Sequence, residues 1–103
     1  MIKQPLLQLI SSQTDVTASR VADGTVYHNT STKPIFVSVS LGLGPVTQGE
    51  VFCDANANPT LVVAFVSNSN LASIYAHLFF LVLPGYYYKV TGNQTIFAWI
   101  EYT

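Results

Sequence analysis

Hydrophobic and polar residues alternate most regularly between Pro34 and Leu41. A period of two predicts a β-strand with one apolar face and one mostly polar face. Phe36, Ser38 and Ser40 occupy one set of positions, and the other set is entirely aliphatic: Ile35, Val37, Val39 and Leu41. A shorter strand is predicted at Thr25–His28, and the polar residues Asn29–Lys33 predict a turn, so the two strands should form a hairpin.

Three further apolar stretches follow this hairpin. Leu61–Val66 is continuously apolar and rich in valine, which favours a strand buried on both faces. Ser73–Leu83 alternates, but large apolar residues occupy both sets of positions, so we expect both of its faces to be covered. In the last stretch, Thr95–Tyr102, strict alternation places Phe97 and Trp99 on the same face.

Turn signals at glycine, proline and asparagine separate these stretches, and together they predict seven or eight strands. No span after residue 14 has both the length and the periodicity of a helix. The sequence therefore predicts one all-β domain over residues 15–103, an antiparallel β-sandwich or jelly-roll.

Residues 1–14 form a short N-terminal arm in this interpretation. The arm could be a helical turn or an extended segment, and it could lie on a neighbouring molecule or strap its own core. Its apolar residues, which are the candidates for such contacts, are Leu6, Leu7, Leu9 and Ile10.

Composition points to association with other chains. Hydrophobic residues make up 50% of the chain and charged residues 9%, whereas an ordinary soluble domain is about 25% charged. Much of the exterior should therefore be neutral and polar or buried against other subunits, which indicates a homo-oligomer. The net charge of −1 without a basic cluster argues against nucleic-acid binding. No stretch suits membrane insertion or a signal peptide, so we expect synthesis in the cytoplasm.

Residues that could carry chemistry are few and scattered. Cys53 is the single cysteine, so it cannot form an intramolecular disulfide, and its apolar neighbours indicate a small buried side chain. His28 and His77 lie on different predicted strands, which argues against a metal site. The carboxylates show no spacing typical of a hydrolase, and no phosphate-binding loop is present. We therefore expect neither a cofactor nor an enzyme.

The aromatic residues offer the more interesting candidates. In the run Tyr86–Tyr88, a strand would place Tyr87 opposite its two neighbours. Tyrosine and tryptophan are common where an apolar surface meets a polar partner. Three roles remain open for these residues together with Phe97 and Trp99: contacts between subunits, filling of the core, and a platform for sugar.

Much of the chain also resembles a small β domain of bacteriophage tail fibres and virion accessory proteins. The resemblance runs from about Asp15 to Tyr102, with its most specific part in the asparagine–threonine turn followed by Pro-Ile-x-Val-Ser-Val. It is carried by Asp15–Arg20, Gly24–Thr30, Lys33–Val39, the Pro-Gly turn and strand at Leu83–Val90, and Trp99–Glu101.

This resemblance implies a non-enzymatic structural protein of the virion, typically a homotrimer. Because only about a dozen residues precede the domain, we expect a capsid decoration (cement) protein or a head or tail accessory protein, bound to the major capsid protein or to tail proteins. The alternative is a receptor-binding fibre tip that recognises a host-surface glycan. The residues expected at subunit or partner contacts are Leu6, Leu7, Leu9, Ile10, Phe36, Tyr87, Phe97 and Trp99.

Overall fold

The computed structural model describes residues 10–92 and 94–103. In this part of the chain the regular structure is almost entirely β, with one short 3₁₀ turn at Thr17–Ser19. The strands are β1 (Gln13–Asp15), β2 (Val26–His28), β3 (Ile35–Leu43), β4 (Thr47–Asp54), β5 (Val62–Asn68), β6 (Ile74–Val82), β7 (Tyr87–Thr91) and β8 (Thr95–Tyr102).

The strands form two four-stranded antiparallel sheets that pack face to face. The first sheet has the order β1-β8-β3-β6 and the second the order β2-β7-β4-β5. Strand β1 pairs with β8, β2 with β7, β3 with β6 and β4 with β5. The chain is thus one long hairpin that is rolled up so that successive strand pairs alternate between the sheets, which is the topology of a jelly-roll. The predicted β-sandwich is confirmed.

The predicted hairpin between β2 and β3 is wrong, because the two strands lie in different sheets. The polar residues between them carry the chain across from one sheet to the other. Asn29, 1% exposed, fixes this crossing: its Nδ2 donates to the carbonyl oxygens of Lys33 at 2.9 Å and Val82 at 3.1 Å. Its Oδ1 accepts the backbone N–H of Ser31 at 3.0 Å.

The crossing at Asn29 is also joined to the crossing between β6 and β7. The backbone N–H of Asn29 donates to the carbonyl of Tyr86, and the N–H of Gly85 donates to the carbonyl of Asn29, both at 2.9 Å. Gly85 has a φ of +81°, a conformation that glycine adopts at little cost. One buried asparagine therefore holds the β2–β3 crossing and the β6–β7 crossing together.

Asn68 has the same role at the opposite end of the sandwich. It is 2% exposed, and its Nδ2 donates to the carbonyls of Gly44 and Ala72, each at 2.9 Å. Its Oδ1 accepts the N–H of Asn70 at 3.0 Å. Because Gly44 follows β3 and Ala72 precedes β6, this asparagine joins the β3–β4 crossing to the β5–β6 crossing.

The core lies between the sheets, and its alternating pattern in β3 is the predicted one. Both faces of Ser73–Leu83 were expected to be covered, but within the chain only the inward face of β6 is, since Tyr75 and Phe79 on its outward face are 84% and 56% exposed. The inward side chains of β3 are fully buried from Val37 to Leu43 at alternate positions, and Leu78, Phe80 and Val82 of β6 are 5% exposed or less. Strand β5 differs from the prediction. It lies at the edge of the second sheet, and Val62, Val63 and Phe65 are 43–56% exposed, so only part of the apolar stretch is buried.

Replacing Asn29 by alanine should lower the free energy of unfolding by about 3 kcal/mol, because the carbonyls of Lys33 and Val82 lose their donor inside the fold. Urea unfolding followed through the fluorescence of Trp99, the single tryptophan, measures the loss. The matched control is Asn70→Ala, since Asn70 is exposed and takes part in the β5–β6 crossing through its backbone. Equal stability of the two variants would contradict the role given to Asn29.

Candidate interaction surface

The outward side of the first sheet carries a set of large apolar side chains, grouped towards its two ends, and we call this side the aromatic face. Tyr75, Phe79, Leu81 and Phe97 on this face are 84%, 56%, 42% and 55% exposed, respectively. Strand registry places further members beside them, since Phe36 faces both Leu81 and Tyr102 across its two ladders. The full set is Phe36, Tyr75, Phe79, Leu81, Phe97, Ile100 and Tyr102.

The rings of the aromatic face form two pairs at opposite ends of the sheet. Phe36 stacks on Phe79 with ring centroids 5.8 Å apart, and Tyr75 packs against Phe97 with centroids 5.3 Å apart. Phe36 and Phe79 lie on neighbouring strands, where an aromatic pair stabilises a sheet by a fraction of a kcal/mol to about 1 kcal/mol. Tyr75 of β6 and Phe97 of β8 meet across β3, above Gly42. Because Tyr75, Phe79 and Phe97 remain more than half exposed, the two pairs form preformed apolar platforms.

A β-bulge brings Phe97 to this face. Ser40 of β3 faces Ala98 of β8, but the next residue, Leu41, faces Ile96, so Phe97 is the extra residue of β8. The bulge reverses the alternation: Phe97 points outward, while Ile96 packs against the core. Gly42 makes room for the ring, because a Cβ atom at that position would lie 3.0 Å from Cε2 of Phe97.

Trp99 lies in the core and not at a contact surface. It is fully buried, and its ring packs edge-on against Tyr27 at a centroid distance of 5.9 Å. The prediction that Trp99 shares a face with Phe97 is wrong because the bulge between them interrupts the period of two. Of the three roles considered for these aromatic residues, Trp99 therefore has that of filling the core.

The aromatic face is almost free of charge. Apart from Tyr75 and Tyr102, the described strand residues that point outward on the first sheet include only two with ionisable side chains, His77 and, at the β1 edge, Asp15. His77 lies between Ser38 and Ser40, with ring nitrogens 3.5 and 3.3 Å from their hydroxyl oxygens. The middle of the face is therefore polar, with an aromatic pair on each side.

The outward side of the second sheet is different in character. His28 stacks on Tyr87 at a centroid distance of 3.9 Å, and Asp54 faces Tyr87 across the ladder. Lys89 lies over the ring of Phe52 at 5.1 Å and donates to Oδ1 of Asn58 at 2.9 Å. Charged groups thus interrupt the apolar side chains on this sheet, whose most exposed members are Val62, Val63 and Phe65 of the edge strand β5.

The expected contact residues are placed as follows. Phe36 and Phe97 lie on the aromatic face, Tyr87 lies on the second sheet, and Leu6, Leu7 and Leu9 lie outside the described residues. Ile10 lines an apolar hollow on the aromatic face together with Phe36, Phe79 and Tyr102. Sequence reasoning did not single out Tyr75, Phe79 or Tyr102, although the large apolar residues at both sets of positions in Ser73–Leu83 were the available signal.

A polar cluster ties the start of the domain to its last strand. Oε2 of Glu101 accepts a hydrogen bond from the hydroxyl of Tyr88 at 2.5 Å and pairs with a guanidinium nitrogen of Arg20 at 3.2 Å. The guanidinium also lies over the ring of Tyr27, 4.5 Å from its centroid. Burial, followed by the hydrogen bond to Glu101 and the charge of its carboxylate, raises the pKa of Tyr88 above its ordinary value. The hydroxyl is therefore a permanent donor and holds Glu101 in place.

The possible catalytic and metal-binding groups do not converge. His77 and His28 lie on the outward sides of opposite sheets, so they cannot share a metal with Cys53. Among residues 10–92 and 94–103, no three side chains of the metal-binding types lie together. Burial and then the charge of Asp54 raise the pKa of Cys53 to about 11. Its thiol is therefore protonated at neutral pH and a poor nucleophile.

Comparisons with protein-family models, with curated proteins and with solved structures give no match to this chain. In the described part of the chain, no helix has the length and apolar character required to cross a membrane. The interpretation of the surface therefore depends on its own geometry.

The Glu101→Gln substitution should lower the free energy of unfolding by about 2 kcal/mol, because Arg20 and Tyr88 lose a charged acceptor in a largely buried place. Chemical unfolding of the two proteins measures the difference. Glu50→Gln is the control, since Glu50 points outward from β4, and it should change stability by less than about 0.5 kcal/mol. A Glu101→Gln protein as stable as the control would show that the cluster adds nothing to the fold.

Proposed function

We propose that this chain is a non-enzymatic structural protein of a bacteriophage particle. Its copies associate, as a trimer, through the aromatic face and decorate the capsid or bind at the head or tail, in contact with the major capsid protein or tail proteins. The observation that carries the assembly part is the exposed, nearly uncharged aromatic face. The bacteriophage part rests on the sequence resemblance over Asp15–Tyr102.

The energetics of the aromatic face favour association. Burying a large apolar side chain is worth about 2 kcal/mol, and Tyr75, Phe79, Leu81 and Phe97 are all at least 42% exposed. Contiguous apolar patches on soluble proteins mark interaction sites, and interface centres are enriched in aromatic residues and poor in charge. The aromatic face is rich in aromatic residues and poor in charge. It is also the part of the surface on which the low content of charged residues, 9% of the chain, is most evident.

The carboxylates support a structural role. Asp15, Asp23 and Asp54 accept hydrogen bonds from the backbone N–H groups of Thr17, Thr25 and Asn56 in their own loops, a typical turn arrangement. Hydrogen bonds from the hydroxyls of Thr17 and Thr25, and then from their backbone N–H groups, lower the pKa of Asp15 and Asp23. The N–H groups of Thr60 and then Asn56 lower the pKa of Asp54. Glu101 is committed to Arg20 and Tyr88. Four of the five carboxylates therefore stabilise the fold.

The jelly-roll fold fits this proposal and leaves a second one open. Viral coat domains and lectins both use it, and a fold by itself does not define a function. The second candidate is a receptor-binding module for a host-surface glycan, favoured by the Tyr87–His28 stack, which has Asp54 beside it. Glycan binding that is lost in Tyr87→Ala and kept in Tyr75→Ala would favour this candidate over assembly through the aromatic face.

Light scattering of the purified chain should give three times its mass of 11.2 kDa. Phe97→Ser should lower the mass towards that of one chain, because it removes an apolar ring from the proposed contact. The matched control is Phe65→Ser, since Phe65 is 56% exposed against 55% for Phe97 but lies on the second sheet. Trp99 fluorescence verifies that both variants are folded. A monomeric parent protein, or the same mass for both variants, would contradict the proposal.

The virion location has a separate test. Antibodies against the purified protein, imaged by electron microscopy with a gold label, should bind intact particles of the phage that encodes the chain at repeated positions on the head or tail. Mass spectrometry of washed particles supplies the control for contamination. If the protein is missing from washed particles, the virion location is wrong even where self-association holds.

A further inference from the structure

We propose that His77 makes association through the aromatic face depend on pH: the copies associate while its ring is neutral and separate once the ring is protonated. This inference rests on the proposed association and adds its regulation. The chain carries two histidines, His28 and His77, and His77 is the one that lies on the aromatic face.

The position of His77 in the sheet is the first support. Tyr75 and Phe79 lie two residues before and two residues after it on the same face of β6, and each belongs to one of the two aromatic pairs. His77 also lines a hollow together with Tyr75, Phe97 and Ser40. A contact that covers both aromatic pairs therefore covers the ring that lies between them.

The hydrogen bonds of the ring suit both of its charge states in the separate chain. A neutral imidazole has one donor and one acceptor, and a protonated imidazole has two donors. The hydroxyls of Ser38 and Ser40, 3.5 and 3.3 Å from the ring nitrogens, can donate or accept. Because His77 is also exposed to solvent, water stabilises the charged ring as long as the face is open.

The side chains around the ring offer no negative charge to compensate a proton. On β3, β6 and β8 its neighbours on the aromatic face are Ser38, Ser40, Tyr75, Phe79, Ala98 and Ile100. Among these only Tyr75 is ionisable, and a tyrosine side chain becomes negative only in alkaline solution.

The acidic residues of the surrounding strands lie elsewhere. Asp15 is on β1, three strands away from β6 in the first sheet, which corresponds to about 14 Å, and Glu101 is paired with Arg20. Strand β5 carries no charged residue. Strand β4, which also contacts β6, directs Glu50 and Asp54 to the outward side of the second sheet. A proton on the ring is therefore uncompensated once a contact excludes water.

This lack of compensation links association to protons. Removal from water disfavours the charged form of a histidine, and equivalent charged rings from several copies repel one another. The separate chain therefore binds protons more readily than the associated chain, so association is complete where histidine is neutral and weakens as the pH falls. With one ring per copy in a trimer, the association constant falls by up to about 1,000-fold for each pH unit.

Light scattering of the full chain at one concentration, between about pH 8 and about pH 5, tests this inference. The parent protein should have the mass of the assembly at the upper pH and that of one chain at the lower pH. His77→Gln, which is polar but cannot take up a charge, should keep the assembled mass throughout, whereas His77→Lys should have the mass of one chain throughout. The matched control is His28→Gln, on the second sheet, which should behave as the parent does. Trp99 fluorescence verifies the fold at each pH.

The opposite results separate the inference from the association on which it rests. An assembled parent protein at the lower pH would overturn the inference and leave the association intact. So would a His77→Gln protein that dissociates with the parent, a His77→Lys protein that assembles, or a His28→Gln protein that stays assembled at the lower pH. A parent protein with the mass of one chain at the upper pH would contradict the association as well.

Discussion

The two buried asparagines are the constraint on which this fold depends. Each crossing between the sheets of a jelly-roll breaks the strand ladder and leaves carbonyl groups without partners near the core. Asn29 and Asn68 supply donors to those carbonyls from the crossing strand and from the neighbouring one. Because buried polar groups must be paired, each asparagine holds two crossings together and so stabilises this distribution of strands between the sheets.

That arrangement determines the two outward surfaces. Once β3, β6 and β8 lie together in the first sheet, their non-core positions form one continuous face. Three of the five charged strand residues, Glu50, Asp54 and Lys89, belong to β4 and β7 of the second sheet. On the first sheet, Asp15 lies at the β1 edge and Glu101 is bound to Arg20 and Tyr88. The difference between an apolar and a polar outer face is thus a consequence of strand order, and it gives the proposed assembly surface its position.

The sequence predicted the parts of the fold that depend on local alternation. Strand β3 and the inward face of β6 follow from the period of two, and the sandwich follows from the number of strands and the turn signals between them. The sheet crossing at Asn29 was not predictable, because its polar residues look the same as a hairpin turn. Phe97 and Trp99 were placed on one face because a bulge leaves no clear local signal. It depends on pairing with β3 and on the space at Gly42.

The central claim is that the aromatic face is buried between copies, and oxidative footprinting of the native protein tests it most directly. Phe97 and Phe65 have nearly the same exposure in the single chain, 55% and 56%. The account predicts that hydroxyl radicals modify Phe97 and Tyr75 far more slowly than Phe65 at high protein concentration, and that dilution removes the difference between the two phenylalanines. Equal modification of Phe97 and Phe65 at all concentrations would contradict it.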